Sequence, residues 1–198
     1  MHAFESKTVL LRYGNTNTFL IRGEKGSLLI DTDYAGTLSA FYKAIGENHI
    51  RVSEITWILA THYHPDHIGL VGELMRQGVR LLLLDSQVGS VHYSDGIFRE
   101  DPTLRYIPVD ETKASVISSE ESRTFLQSLG ISGEIIKTPS HSPDSISVIL
   151  DKGDCIVGDL EPFGYLEAYE KNPELEKDWE NILDHKIQRI FYAHIPVR

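Results

Sequence analysis

The sequence has one cysteine, few basic residues and no long apolar run, and each shortage excludes a class of protein. Cys155 cannot form an internal disulfide, which suits a reducing cytoplasm. Lys and Arg total 19 against 29 Asp and Glu, and the formal net charge of −10 disfavours binding of nucleic acid through the general surface. No segment approaches the ~20 consecutive apolar residues that span a bilayer, so we expect no membrane partner.

The N-terminal residues lack the basic-then-apolar pattern of a signal peptide, which together with the lone cysteine predicts a cytoplasmic protein. What the chain does contain is an ordinary globular balance, with 41% hydrophobic and 24% charged residues. Its length of 198 residues predicts one domain over residues 1–198. The nine histidines are the unusual part of the composition, and their positions carry the functional information.

Alternating strand-like and helical patterns predict an α/β fold with a mixed sheet system. Strands are predicted at residues 8–13, 18–22, 27–30, 55–60, 79–84, 134–137, 146–150, 155–157 and 189–192. Helices are predicted at residues 38–45, 67–76, 120–129 and 173–185. The segment from His92 to Thr112 contains glycine, prolines and mixed charges, and we expect a long loop or lid there.

Four side chains that bind metals lie within six residues, between a predicted strand and a predicted helix: His62, His64, Asp66 and His67. Residues two apart on an extended segment share a face, so His62 and His64 can point to one metal ion. Asp66 and His67 lie where the chain turns into the helix, and they can point to a second metal ion. Imidazole and carboxylate ligands suit zinc, and also iron or manganese.

Three further ligand-type residues each follow a short predicted strand: His141, Asp159 and His194. Each of them alone could equally stabilise a turn. Together they repeat one arrangement, a metal-binding side chain placed just beyond an apolar strand. Converging strand ends are a common way for an α/β fold to build a site.

These residues in this order resemble the metallo-β-lactamase-fold hydrolase superfamily, and Asp31 in the run Leu-Ile-Asp-Thr-Asp is similar to its first motif. The resemblance implies a four-layered αβ/βα sandwich, in which two mixed β-sheets pack face to face with helices outside. It also implies two divalent metal ions: His62, His64 and His141 on one, Asp66, His67 and His194 on the other, and Asp159 bridging them. Asp31 would then orient the ligand loop from behind.

Within the superfamily, the chain looks like the glyoxalase II, lactonase, phosphodiesterase and ribonuclease Z side. True β-lactamases lack a bridging Asp at the position of Asp159, and the flavin-linked diiron proteins usually carry Glu at the position of His64. Two departures put thioesterase specificity in doubt. Ser140 and Asp144 stand where glyoxalases and lactonases have glycine, and only four residues follow His194, so we expect no C-terminal substrate domain of the glyoxalase II type.

The ligand set favours a metallohydrolase that uses a metal-bridging hydroxide to cleave an ester, thioester, lactone or phosphodiester bond. Asp66 would orient the nucleophile. The expected partners are a small-molecule substrate, for which an anionic group is compatible with the site, and a second copy of the chain in a homodimer. The alternative is a non-hydrolytic iron protein such as a sulfur dioxygenase, and a third is a metal-binding protein without catalysis. Contacts with substrate by Tyr63, His92 or Tyr165 stay open, and packing or a place at the rim of the site is the simpler role for both tyrosines.

Overall fold

A computed structural model describes residues 6–167 and 172–196 of the chain, and it contains ten strands and six α-helices in that part. The strands are β1 Lys7–Arg12, β2 Asn17–Arg22, β3 Ser27–Ile30, β4 Trp57–Leu59, β5 Arg80–Leu84, β6 Ser115–Ile117, β7 Gly133–Lys137, β8 Ile146–Leu150, β9 Asp154–Gly158 and β10 Arg189–Tyr192. The helices are α1 Leu38–Glu47, α2 Pro65–Ile68, α3 Val71–Arg76, α4 Asp95–Arg99, α5 Ser119–Ser128 and α6 Pro173–Leu183. Among the described residues, no helix is long and apolar enough to cross a membrane.

The strands form two mixed sheets. The first has the order β1-β2-β3-β4-β5-β6, with antiparallel pairs up to β3 and parallel pairs from β3 to β6. The second has the order β10-β9-β8-β7, in which only β10 and β9 are parallel. In both sheets, therefore, several strands end at the same edge, and loops that follow them can converge.

Alternation along the strands divides the apolar side chains between three clusters. In β3, for example, Leu28 and Ile30 belong to the cluster between the two sheets, while Leu29 belongs to the cluster under α1 and α3. In β9, Ile156 faces the first sheet and Cys155 faces α6. Because side chains alternate across a strand, each sheet buries both faces. The layers are helix, sheet, sheet, helix, which is the four-layered αβ/βα sandwich that the family resemblance implied.

The predicted apolar segments correspond well to the strands. The run at residues 79–84 was predicted as a strand buried on both faces, and Leu81 to Leu84 are indeed all buried in β5. Cys155 is a buried core residue, and burial raises the pKa of its thiol to about 12. A reactive thiolate is therefore disfavoured at this position.

Two predictions about local structure are wrong. The helix expected at residues 67–76 is two short helices, α2 and α3, because the chain turns at Gly69 where it lies against the backbone of Tyr34 and Ala35. The segment from 92 to 112 is not irregular throughout, although residues 105–110 have no regular structure, and its role as a lid stays a prediction. It contains α4 and 3-10 turns, and Phe98 and Val109 anchor it in the core. The ring of Phe98 stacks on Tyr106 at 4.0 Å between centroids.

Candidate metal centre

The predicted metal-binding residues meet at one edge of the sandwich, where strands of both sheets end. His62 follows β4, Asp159 directly follows β9, and His194 follows β10. His141 lies in the turn between β7 and β8, again just after the end of a strand. Two backbone hydrogen bonds join the sheets at this edge, from Ile146 N to Thr61 O (2.9 Å) and from Asn17 N to Ala193 O (2.7 Å).

His62, His64 and His141 form the first cluster, which the structure brings together from positions 79 residues apart in the chain at most. Their ring centroids lie 4.5–5.0 Å apart, and His141 Nε2 is 3.2 Å from His64 Nδ1. Each ring offers one nitrogen to a common point. Three neutral imidazoles can hold one divalent cation with an open position for water or substrate.

Asp66, His67 and His194 form a second cluster beside the first. His194 Nε2 lies 3.2 Å from Asp66 Oδ2, and His67 Nε2 lies 3.9 Å from the same oxygen. Asp159 faces both clusters: its Oδ1 is 3.2 Å from His194 Nε2, and its Oδ2 is 3.4 Å from His67 Nε2 and 3.8 Å from His62 Nε2. A single carboxylate therefore reaches donors of both clusters.

The buried polar atoms at the centre fit a bound divalent cation. Within the described part of the chain, His62 Nε2, His67 Nε2 and Asp159 Oδ1 are buried and have no hydrogen-bond partner. Buried polar atoms are rarely left unpaired, because each one loses its water on folding. Ring nitrogens and carboxylate oxygens that face one another in this way gain a common partner when a metal ion binds.

Asp31 holds two of the histidine rings in place from behind. It lies just past β3 in a left-handed conformation (φ 58°), which Asp tolerates better than most residues, and it is almost fully buried. Its Oδ2 lies 3.0 Å from His67 Nδ1 and accepts the Thr61 hydroxyl at 2.8 Å, while Oδ1 accepts Thr61 N–H at 2.6 Å. The Thr61 oxygen is in turn 3.2 Å from His62 Nδ1. An Nδ1–H on both rings leaves Nε2 free as a metal ligand.

The turn between β1 and β2, together with the first residue of β2, orients residues of the second cluster in a similar way. His194 Nδ1–H donates to Asn15 O at 3.1 Å, which aims Nε2 at the two carboxylates. The Thr16 hydroxyl donates to Asp66 O at 2.8 Å. The Asn17 side chain donates to Tyr192 O (2.9 Å) and Ile195 O (2.7 Å), on either side of His194. Residues near the N-terminus thus orient His194 near the C-terminus, and they also hold the backbone of Asp66.

Burial and neighbouring charges have opposing effects on the pKa values of His67 and Asp159, whereas the pKa of His62 is dominated by burial. Burial lowers the pKa of His62 far below its ordinary value, and the ring of His67 lowers it further. Burial also opposes protonation of His67, but the carboxylates of Asp31 and Asp159 outweigh it and raise the pKa of His67 to about 10. Burial opposes ionisation of Asp159, yet the adjacent histidines hold its pKa below the usual range. A cation that binds His67 must therefore displace a proton.

The residues whose substrate contacts were left open lie in different surroundings. Tyr63 is buried in the core, which agrees with a packing role. Tyr165 is exposed in the 3-10 turn Phe163–Glu167, and His92 pairs with Asp95 at 3.0 Å. The sequence reasoning missed Tyr93, which is 65% exposed and whose ring centroid lies 5.6 Å from that of His64. A tyrosine beside a histidine of another segment leaves no signal in the sequence.

Comparison with known proteins agrees with this geometry. The family model of the metallo-beta-lactamase superfamily matches residues 11–194. The Beta-lactamase-like protein 2 homolog of Drosophila melanogaster is 28% identical over 187 residues, which is 90% of this chain and 58% of that protein. A protein of Methanocaldococcus jannaschii named "Probable metallo-hydrolase" is 30% identical over 158 residues, or 74% of this chain and 68% of its own length.

A coenzyme F420H(2) oxidase of Methanothermobacter marburgensis is 24% identical over 151 residues, which is 75% of this chain but only 34% of that enzyme. The chain thus spans little more than half of the Drosophila relative and about a third of the oxidase. Among solved structures, a metallo-beta-lactamase family protein from Thermus thermophilus superposes with a TM-score of 0.68 at 21% identity, covering 96% of this chain and 73% of its own. At this identity the likeness establishes the fold alone.

Proposed function

The chain belongs to the metallo-beta-lactamase superfamily, and from that premise and the geometry of the metal centre we propose that it is a binuclear metallohydrolase. The observation that carries the proposal is the pair of clusters on either side of Asp159, in which the buried Nε2 atoms of His62 and His67 have no hydrogen-bond partner among the described residues. The relative of Methanocaldococcus jannaschii that is named as a probable metallo-hydrolase supports the reaction class. The proposed substrate is a small molecule with an ester, thioester, lactone or phosphodiester bond.

Two divalent cations, zinc by preference, would be held by the three histidines of the first cluster and by Asp66, His67 and His194 of the second, with Asp159 between them. Cations bound there supply Lewis-acid polarisation of the scissile group and lower the pKa of water. Since Asp31, Thr61 and Asn15 orient the rings, little rearrangement is needed when metal binds.

The chain's own residues divide the remaining tasks. Asp66 Oδ2 lies at the partly exposed side of the centre and would accept a hydrogen bond from the attacking water, which orients it. Asp159 would balance positive charge between the clusters. Buried His62 and His67 form the floor of the site, while His64, His141 and His194 stand at its more accessible side, where substrate enters.

Substitution of His62 or Asp159 by Ala tests the proposal, with His185→Ala as a matched histidine control outside the centre. We expect both site variants to lose bound metal and turnover of a panel of lactones, thioesters and phosphodiesters, while His185→Ala keeps both. Metal content by elemental analysis and hydrolysis rates are the measurements. Full hydrolysis by a variant that binds no metal would refute the proposal.

A second candidate function is non-hydrolytic chemistry at iron, and the relative named as an oxidase is the observation in its favour. The donor set of histidines and carboxylates binds iron as well as zinc. Redox turnover requires iron, whereas hydrolysis proceeds with redox-inert zinc. Protein reconstituted with zinc alone decides between the two: hydrolytic turnover supports our proposal, and activity that returns only with iron and oxygen supports the alternative.

A further inference from the structure

The carboxylate of Asp144 joins the two loops that carry the first histidine cluster. Its Oδ2 accepts the backbone N–H of Tyr63 at 2.8 Å, between His62 and His64. Its Oδ1 accepts the Ser142 hydroxyl at 2.9 Å, in the turn that carries His141. Asp144 is 5% exposed, and its hydrogen bond to Tyr63 N–H is buried, so water competes little for it. Asp144 thus connects its own turn to Tyr63, which lies 81 positions earlier in the chain.

The main chain of Tyr63 is held from both sides. Its N–H donates a hydrogen bond to Asp144, and the buried hydroxyl of Ser94 donates to its carbonyl oxygen at 2.6 Å. These two peptide groups link Tyr63 to His62 on one side and to His64 on the other. Fixing both peptide planes fixes the directions in which the two histidine side chains leave the backbone.

A third connection holds Asp144 itself. The fully buried side chain of Gln87 donates through Nε2 to Asp144 O at 3.2 Å and to Ala60 O at 2.9 Å. Its Oε1 accepts the N–H of Leu84 at 3.2 Å. The end of β4, the turn after β5 and the turn before β8 are therefore one hydrogen-bonded unit behind the first cluster.

We propose that Asp144 is the positioning residue of the first metal subsite: its carboxylate holds the His62–His64 loop and the His141 turn at the spacing that one cation requires. The inference rests on the proposed function, since it assumes that these histidines bind metal. Asp144 is outside the two clusters of donor atoms, so it acts through the backbone that it holds. Removing its oxygens leaves Tyr63 N–H buried and unpaired, and both loops can then relax.

The test is a titration of metal-free protein with Zn²⁺ or Co²⁺, compared between the wild type, Asp144→Ala, Asp144→Asn and Asp154→Ala. We expect Asp144→Ala to lower the affinity for the cation about 10- to 100-fold, which is typical when a residue that orients ligands is removed. Asn keeps an oxygen for Tyr63 N–H and offers its amide to Ser142, so Asp144→Asn should retain most of the affinity. The visible spectrum of bound Co²⁺ should change in the Ala variant.

Asp154 provides the matched control, because it is an equally buried carboxylate at the opposite end of β9 from Asp159. It pairs with Lys152 Nζ at 3.1 Å and with Arg189 Nη2 at 2.7 Å. Asp154→Ala should therefore lower the free energy of unfolding without lowering the affinity for the cation. Denaturant unfolding of each metal-free variant separates loss of fold from loss of positioning.

The outcomes separate this inference from the proposed function. If the wild type binds no divalent cation, the proposed function fails, and the inference fails with it. If the wild type binds and a folded Asp144→Ala binds equally tightly, only the inference is overturned. If Asp144→Ala does not fold, Ser94→Ala and Ser142→Ala each remove one hydrogen bond of the same unit. Unchanged affinity and Co²⁺ spectrum in both of these variants would then overturn it.

Discussion

Tyr93 is a single residue whose placement is unusual, since a large aromatic side chain stays 65% exposed while its ring lies against His64. Its neighbour Ser94 is buried and hydrogen-bonded to Tyr63 O, which fixes the backbone beside the ring. We expect Tyr93→Ala to raise KM for substrates with an aromatic group and to leave kcat nearly unchanged. Loss of one aromatic contact is about 0.5–1.5 kcal/mol, or about 2- to 10-fold in KM.

The comparison that checks this is steady-state kinetics with aryl and methyl esters of the same acid. Tyr93→Phe keeps the ring and should behave as the wild type, and Tyr42→Ala removes an exposed tyrosine that donates to Gln77 on the distant α1 side. An equal rise in KM for aryl and methyl esters would show that the ring does not select the substrate.

At this scale the sequence predicted the side chains that cluster as candidate metal ligands, and the family resemblance added Asp31 behind them, but neither pointed to Gln87 or Asp144. His62, His64 and Asp159 belong to residue types with distinctive chemistry, and each follows an apolar strand. Gln87 and Asp144 are ordinary polar residues in the sequence. Their importance depends on hydrogen bonds to partners 27 to 81 residues away, which appear only when the chain is folded.

Among the elements, the break between α2 and α3 is the one that shapes the site. Thr32 N–H donates to His67 O at 2.8 Å, and Leu70 N–H donates to the Thr32 hydroxyl at 3.2 Å. This contact requires glycine at position 69, because a Cβ there would clash with the backbone of Tyr34 and Ala35. We predict that Gly69→Ala lowers the free energy of unfolding by about 1–3 kcal/mol, the usual effect of overpacking.

Urea unfolding of the metal-free protein measures this change, and Gly46→Ala is its control. Gly46 lies in α1, and a Cβ there would meet no atom within 4 Å. Alanine is the better helix former, so Gly46→Ala should raise the free energy of unfolding by about 0.5–1 kcal/mol. Equal changes in the free energy of unfolding at both positions would mean that the backbone around position 69 accommodates a Cβ without a clash.

The sequence predicted elements well where burial is regular and poorly where it is not. β3 and β8 have the predicted bounds, because each is a compact, fully buried run between turns. β6 was missed, since it has three residues and Val116 is 52% exposed. The order in segment 92–112 was missed because Phe98 and Tyr106 are isolated in sequence and stabilise it by stacking on each other.

For the whole molecule, the candidate metal centre brings together distant parts of the chain. Its candidate ligands come from residues 62–67, 141, 159 and 194, and both sheets contribute to them. The centre also places the carboxylates of Asp66 and Asp159 side by side in a chain whose net charge is already −10. Two divalent cations would add four positive charges at this place, so a negatively charged substrate is compatible with an acidic protein.

Metal removal should therefore destabilise the entire fold and not only the loops of the site. A cation at about 100 times its dissociation constant adds about 2.7 kcal/mol to the free energy of unfolding, which for a chain of this size is about 5–10 °C in Tm. We expect a chelator to lower Tm by this amount for each cation, and added zinc to restore it. Asp159→Ala, which lacks the shared carboxylate, should respond much less to either treatment. The contrary outcome is a wild-type Tm that stays constant while elemental analysis records complete loss of metal. The ligands come from both sheets, so a bound cation cross-links the sheets only if binding favours the folded state. A constant Tm would therefore mean that the cations do not couple the two sheets.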